Sequence, residues 1–312
     1  WYLSDRLTAD GEPTLAAFRG GGWLRLRYAD GTVFTLDAKG TRIGVTWRAP
    51  LTLEDACTYL LGPVCGLALR LRGAACVHAS AIAMGGGALL VCGPAGAGKS
   101  TTAAALAARG RKVLADDVAA LDAAGGRVTV RAAYPHLRLW PDAVRALYGG
   151  DAELPPLTPN WDKRYLDLAG VDPAFHAGAR RGGIAVQVAA PLQGLEVAVH
   201  RRGGGEPDGL ADLAHRRREA AVALLGTREE APGAPRLEPL RPADAVLALV
   251  GNTYMGWLPD LAAQARDLAL YARLAREVPV FRAVAHADPA RLGGLCALLE
   301  ARLRPATEGG DG

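Results

Sequence analysis

Lysine is nearly missing from this sequence. Of 36 basic residues only Lys39, Lys99, Lys112 and Lys163 are lysines, and the net charge is a mild +4. Aromatic residues make up only 6% of the chain. No stripe of basic residues interleaved with aromatics appears, which argues against a nucleic-acid partner. Cysteine is sparse as well. Cys57, Cys65, Cys76, Cys92 and Cys296 are odd in number, scattered, and without a C-x-x-C spacing. That excludes a disulfide framework and a cysteine-based zinc site, and it fits a reducing cytoplasm. No apolar run approaches the roughly 18 residues that span a bilayer. The chain opens at Trp1 without a charged segment followed by an apolar one, so no secretory signal is read. The expectation is a soluble cytoplasmic protein with no membrane partner.

What is present is an ordinary globular balance, 50% apolar and 22% charged over 312 residues. That length suits one sizeable domain plus a smaller one. Residues 22–48 alternate apolar and polar side chains, with hairpin turns at Ala29–Gly31 and Ala38–Gly40. Residues 51–73 have helical spacing through Leu53, Ala56, Cys57, Leu60 and Leu61. Together they predict a small, mainly β module over 1–72. From Ala75 strands and helices alternate, predicting an α/β domain over 73–303. A helix is expected from Lys99 to Arg109, ended by Gly110, and a hairpin turning at Gly125–Gly126. Strands are expected at 184–190, 195–202 and 278–284. Helices are expected near 209–225, 242–250, 260–276 and 288–302. Residues 149–160, 201–209 and 228–239 read as loops, and 304–312 as a disordered tail.

One motif carries direct chemistry. Gly93-Pro94-Ala95-Gly96-Ala97-Gly98-Lys99-Ser100 satisfies G-x-x-x-x-G-K-[ST] in full and is followed by Thr101. The glycines let consecutive backbone N–H groups face one anion, and the next helix adds the positive end of its dipole. Lys99 would reach the β- and γ-phosphates as a point charge, and Ser100 would offer its hydroxyl to Mg²⁺. The expected ligand is ATP.

Eighteen residues after Lys99 the next predicted strand ends in Asp116-Asp117. A generic nucleotide hydrolase needs one acid here, on the Mg²⁺ side, and Asp116 can fill that role. A second carboxylate beside the γ-phosphate is suited to take a proton from an incoming hydroxyl. On spacing alone the pair also reads as one metal ligand plus one turn cap.

The stretch from His78 to Leu121 resembles the core of the bacterial HPr serine kinase/phosphorylase family. It resembles still more the HPr-kinase-like proteins of peptide biosynthesis clusters, including the kinases of lasso-peptide precursors. A histidine 21 residues before the lysine (His78), the Arg109-Gly110 ending of the first helix, and the Asp-Asp pair with its second member at Asp117 all carry it. The resemblance implies a P-loop α/β core of the HPr kinase/phosphoenolpyruvate-carboxykinase type. It also implies Asp117 as general base toward an acceptor serine, His78 as electrostatic or hydrogen-bonding support, and room for a homo-oligomer. The region comparable to the family's downstream signature reads "YPHLRLWPDAVRALYG" (134–149) and lacks the signature's Glu, so the resemblance leaves HPr recognition and the reverse reaction open. Arg138 can take the signature arginine's part, and Asp142 reads as a helix-start acid or a metal helper.

Further cations are candidates with weaker support. Lys163-Arg164 matches a pair lying near the active site in these relatives, where two positive charges could neutralise a transferred phosphoryl group. The pair also reads as a solvated basic turn. Arg180-Arg181 could contact phosphate or an acidic peptide, and "HRRRE" (215–219) reads as a solvated helix face. His136, His176, His200 and His286 show no metal spacing, and no G-x-S-x-G elbow supports hydrolase chemistry. The expectation is therefore an ATP- and Mg²⁺-dependent kinase acting on a peptide or protein serine, with lasso-type precursors favoured. A small-molecule kinase of the same fold and a nucleotide-gated ATPase remain as alternatives.

Overall fold

The computed structural model describes residues 2–84, 87–123, 128–134, 136–150, 153–158, 161–168, 184–189, 195–201, 220–230, 235–258 and 261–303. The architecture is mixed α/β, and the chain divides into two compact units. The first comprises Trp1–Ala74, Gly182–Glu206 and Trp257–Pro259. It is built on an antiparallel sheet of β1 (Tyr2–Leu3), β2 (Leu15–Gly20), β3 (Trp23–Tyr28), β4 (Val33–Asp37) and β5 (Arg42–Thr46). The alternation read from the sequence is visible in β3, where Leu24, Leu26 and Tyr28 are buried and the residues between them exposed. Phe34, Leu36, Ile43 and Val45 continue that inner face.

Two short helices follow, α1 (Leu53–Tyr59) and α2 (Cys65–Leu71). Thr52 and Asp55 form a reciprocal capping box that satisfies orphan donors at the start of α1. Between the helices, Leu60–Val64 forms a wider π turn around Pro63, whose missing N–H cannot complete an α-helical bond. Gly40 makes this packing feasible, since a Cβ there would stand 2.7 Å from the Ala68 carbonyl oxygen. Tyr59 stacks on Tyr28 with centroids 3.9 Å apart and donates to Asp30 Oδ2 at 2.7 Å.

The sequence reading cut the chain once, after residue 72. Sheet pairing adds a later hairpin to the first unit. β16 (Leu195–Arg201) pairs with β5 from Leu195↔Val45 to Ala198↔Arg42, and β15 (Ile184–Ala189) pairs with β16. A strand register between segments so distant in sequence leaves no local signal.

The second unit carries the site. Its central sheet runs β18 (Arg236–Pro239), β19 (Val280–His286), β17 (Ala221–Glu229), β8 (Gly87–Cys92), β7 (Ala79–Met84), β9 (Lys112–Ala115). β17 pairs in parallel with both β19 and β8, whereas β7 is antiparallel to β8 and β9. Both faces are covered. Leu89, Val91, Ala223 and Leu225 pack with α3 (Lys99–Ala108) and the last helix, α7 (Leu292–Arg302). On the other face, Leu90, Cys92, Val222 and Leu224 pack with α5 (Pro242–Gly251) and α6 (Leu261–Glu277). Burial on both sides explains the uninterrupted apolar runs of β8 and β17. Each fully buried large side chain contributes about 1.5–3 kcal/mol.

The α5, α6 and α7 helices and β19 fall where the periodicity places them, and the strands of the expected hairpin form as β10 (Ala119–Asp122) between β11 (Thr129–Val130) and β6 (Ala75–Val77), while its turn at Gly125–Gly126 lies outside the described residues. Three expectations are corrected. The predicted helix over 209–225 does not extend through its end, because Ala221 onward is β17; an apolar run buried on both faces has no period to separate helix from strand. The expected loop over 228–239 likewise contains the end of β17 and all of β18. In the expected loop over 149–160, Pro156–Thr158 forms β13 against β14 (Trp161–Asp167), which also pairs with β12 (His136–Leu139). Arg180, Arg181, His176, residues 215–219 and the tail lie outside the described residues. No helix among the described residues is long and apolar enough to cross a membrane.

Candidate functional site

The loop from Gly93 to Gly98 connects β8 to α3, the strand–loop–helix context its motif requires. Gly93, Gly96 and Gly98 hold φ of 150°, 82° and 100°, so side-chain-bearing residues would be strained at each. Gly93 is constrained twice over, since a Cβ there would meet the Leu225 carbonyl oxygen at 2.6 Å. The Lys99 side chain folds back over the loop, and Nζ donates to the carbonyls of Gly93 (2.8 Å) and Pro94 (2.9 Å). Burial lowers the Lys99 pKa, an effect the nearby Asp117 and Asp116 charges oppose.

β9 ends at Ala115, so both aspartates stand just past the strand rather than within it. Asp117 adopts φ 66°, in the left-handed region, which aspartate tolerates better than most side chains. That turn is why two consecutive carboxylates need not point to opposite faces. The sequence reading ended the strand in these two residues, whereas the strand stops at Ala115 and the backbone turns.

The two carboxylates have different surroundings. Asp116 Oδ1 accepts from Ser80 Oγ (2.6 Å) and from Ser100 Oγ (3.0 Å). Burial raises its pKa, the Asp117 charge adds to that, and the two hydroxyl bonds work against it. Asp117 Oδ1 lies 3.3 Å from His78 Nε2, with both side chains partly exposed. Burial pushes Asp117 up, but the hydrogen bond and charge of His78 with the charges of Arg138 and Lys163 outweigh it, and the net shift is downward. Asp117 is therefore an anion at neutral pH, partly exposed, with His78, Arg138 and Lys163 acting on it.

The donor set around Ser100 and Asp116 is a hydroxyl and a carboxylate 3.0 Å apart. Among the described residues no three His, Cys, Asp or Glu side chains converge into a cage. Hard oxygen ligands of this kind suit Mg²⁺, which keeps waters and shares its coordination with substrate phosphates rather than sitting in an all-protein cage.

The other sequence candidates separate. Arg138 on β12 and Lys163 on β14 act on Asp117, and Lys163 Nζ lies 5.2 Å from the Trp140 ring centroid. Arg164 follows Lys163 on the same strand, and alternation turns it to the other face. It donates to the Asp162 carbonyl at 2.7 Å and lines a groove of about 600 Å³ with Val144, Arg145 and Leu154. The Lys-Arg pair thus brings one cation to the aspartates, not two. Asp142 lies in the first turn of α4 (Pro141–Tyr148), exposed and paired with Arg145, so it acts as a helix-start acid and not a metal helper.

Two residues that the sequence did not single out also meet the loop. Asn252, just past α5, accepts from the Gly93 N–H through Oδ1 (2.9 Å), and its own carbonyl accepts the His78 N–H (2.8 Å). Its amide donates to Ala248 O at 2.8 Å, fixing the side chain. One residue thereby ties the start of the loop to the histidine segment. The second is Arg228 on β17, whose Nη2 stands 2.9 Å from where a Cβ on Gly98 would lie. Neither belongs to a local motif.

No family model and no curated protein matches the chain. Among solved structures it is similar to the Hpr(Ser) kinase/phosphatase from Coxiella burnetii, at 14% identity with a TM-score of 0.31, over 73% of this chain and 87% of that one. A likeness of this size leaves the chemistry of the site to its own residues.

Proposed function

We propose that this protein is a kinase that transfers the γ-phosphoryl group of ATP to a hydroxyl, with serine in a peptide or protein as acceptor. The observation that carries the reading is the division of labour between adjacent carboxylates beside a phosphate-binding sequence. Asp116 is tied to Ser100 of the loop, while Asp117 is ionised, partly exposed and paired with His78.

In this reading the loop N–H groups and Lys99 hold the phosphate chain. Ser100 and Asp116 would hold Mg²⁺, which when bound neutralises phosphate charge. Asp117 Oδ accepts the hydroxyl proton as the new O–P bond forms and the bond from the γ-phosphorus to the bridging oxygen breaks, releasing ADP. His78 and Lys163 keep Asp117 ionised and aligned before the proton arrives. Most of the acceleration then comes from positioning and charge neutralisation. The resemblance of residues 78–121 to kinases of lasso-peptide precursors favours a ribosomal precursor peptide as acceptor.

The test follows ³²P from γ-labelled ATP with a serine peptide, with free serine and with no acceptor. Label in the peptide at a rate well above hydrolysis supports the proposal. Label in free serine alone moves the acceptor to small molecules, and hydrolysis indifferent to every acceptor makes the chain an ATPase.

A further inference from the structure

Arg228 is a cation of the second unit that the proposed chemistry has not used. It sits near the C-terminal end of β17, the strand beside β8, so it approaches the loop from the flank opposite to β7 and β9, where the aspartates stand. The next residue, Glu229, offers it no partner. Glu229 is bound by Arg236 at 2.7 and 3.1 Å, and Arg236 also takes Glu238. Among the described residues no carboxylate pairs with Arg228. The guanidinium is instead turned to the loop, where its Nη2 occupies the space a side chain on Gly98 would need. Gly98 is the residue from which α3 starts, and the first turn of that helix contains no acid to offset its dipole. Two positive groups, the buried Lys99 ammonium and the exposed Arg228 guanidinium, therefore converge on one short loop.

We infer that Arg228 is a substrate-contacting residue of the phosphate site, pairing with non-bridging oxygens of the bound polyphosphate on the side away from Asp116. The inference rests on the nucleotide reading above and adds to it a second cation supplied by a distant strand. A planar guanidinium suits two oxygens of one phosphate, a geometry an ammonium cannot reproduce. The anion would draw Arg228 off Gly98 and release Lys99 from its two carbonyl partners. A site divided in this way holds the phosphate chain between an arginine flank and an acidic, metal-binding flank.

The experiment uses the full chain with a fluorescent ATP analogue, and inorganic tripolyphosphate as a competitor that lacks base and sugar. Arg228→Gln should weaken both ligands by about tenfold or more, Arg228→Lys should recover part of the loss, and the thermal midpoint of the free protein should stay unchanged because the side chain has no ion-pair partner among the described residues to lose. Binding of both ligands within twofold of wild type by Arg228→Gln would overturn the inference. So would a loss for the ATP analogue without a loss for tripolyphosphate, since Arg228 would then be reading the base. Wild-type protein that binds neither ligand sinks the nucleotide reading and this inference with it. Wild-type binding matched by Arg228→Gln sinks the inference alone.

Discussion

The second unit holds two acidic centres that differ in what they leave unsatisfied. Glu300, on α7, is buried and receives Arg109 through two nitrogens at 2.9 and 2.6 Å and Arg111 at 2.8 Å. Both carboxylate oxygens are bound by permanently charged donors, and the group has nothing left to exchange. Asp116 and Asp117 lie side by side without a guanidinium fork: Asp116 receives the Ser80 and Ser100 hydroxyls and the Asp117 backbone N–H, and Asp117 faces the His78 imidazole, with the charges of Arg138 and Lys163 acting on it. Saturated acids hold a fold together, whereas under-paired acids keep capacity for a proton or a metal. The Arg109-Gly110 ending thus has a structural task here, because it brings an arginine from the end of α3 to α7.

The sharpest way to break this contrast is to neutralise Asp117. Asp117→Asn should cut phosphoryl transfer by at least about a hundredfold while ATP affinity stays within about threefold and the thermal midpoint barely moves, as label transfer, titration and calorimetry would show. Glu300→Gln should do the reverse. Transfer should be retained at moderate temperature, and the midpoint should fall by several degrees, because two arginines lose their shared anion. A smaller effect is expected at the hinge between loop and histidine. Asn252→Ala removes the side-chain acceptor of the Gly93 N–H and should raise the KM for ATP by roughly three- to tenfold, with kcat changed less.

The mildest test is pH. Desolvation acts to raise Glu300, but its bonds with Arg109 and Arg111 hold its folded-state pKa below the ordinary glutamate value. Its stabilising contribution is therefore complete above the unfolded pKa and lost as pH falls through the folded one. Wild-type protein should lose stability across that acidic window, and Glu300→Gln should show a shallower dependence there, as denaturant titrations at stepped pH would reveal.

How much of the site is readable from the chain depends on sequence distance. The loop, Lys99, Ser100 and both aspartates lie within one strand–helix–strand passage, and His78 stands a fixed offset before it. These are local spacings, and the residues do converge. Asn252 reaches Gly93 across 159 residues, and Arg228 sits where charge and proline made the chain look like a loop. No composition or period marks a residue delivered by a neighbouring parallel strand. Lys163 and Arg164 show a related limit, because adjacent cations on a strand look like one patch in the sequence and diverge in space.

The left-handed backbone at Asp117 has a consequence for anyone mapping this site by substitution. The conformation sorts replacements before chemistry does. Alanine there adds backbone strain to the loss of a carboxylate, and a β-branched residue adds more. Glycine relieves the backbone while erasing the side chain. An alanine scan at position 117 would therefore report a sum of two defects under one number. Asparagine tolerates the same turn and differs mainly in charge, which makes it the substitution whose result can be read as proton chemistry alone.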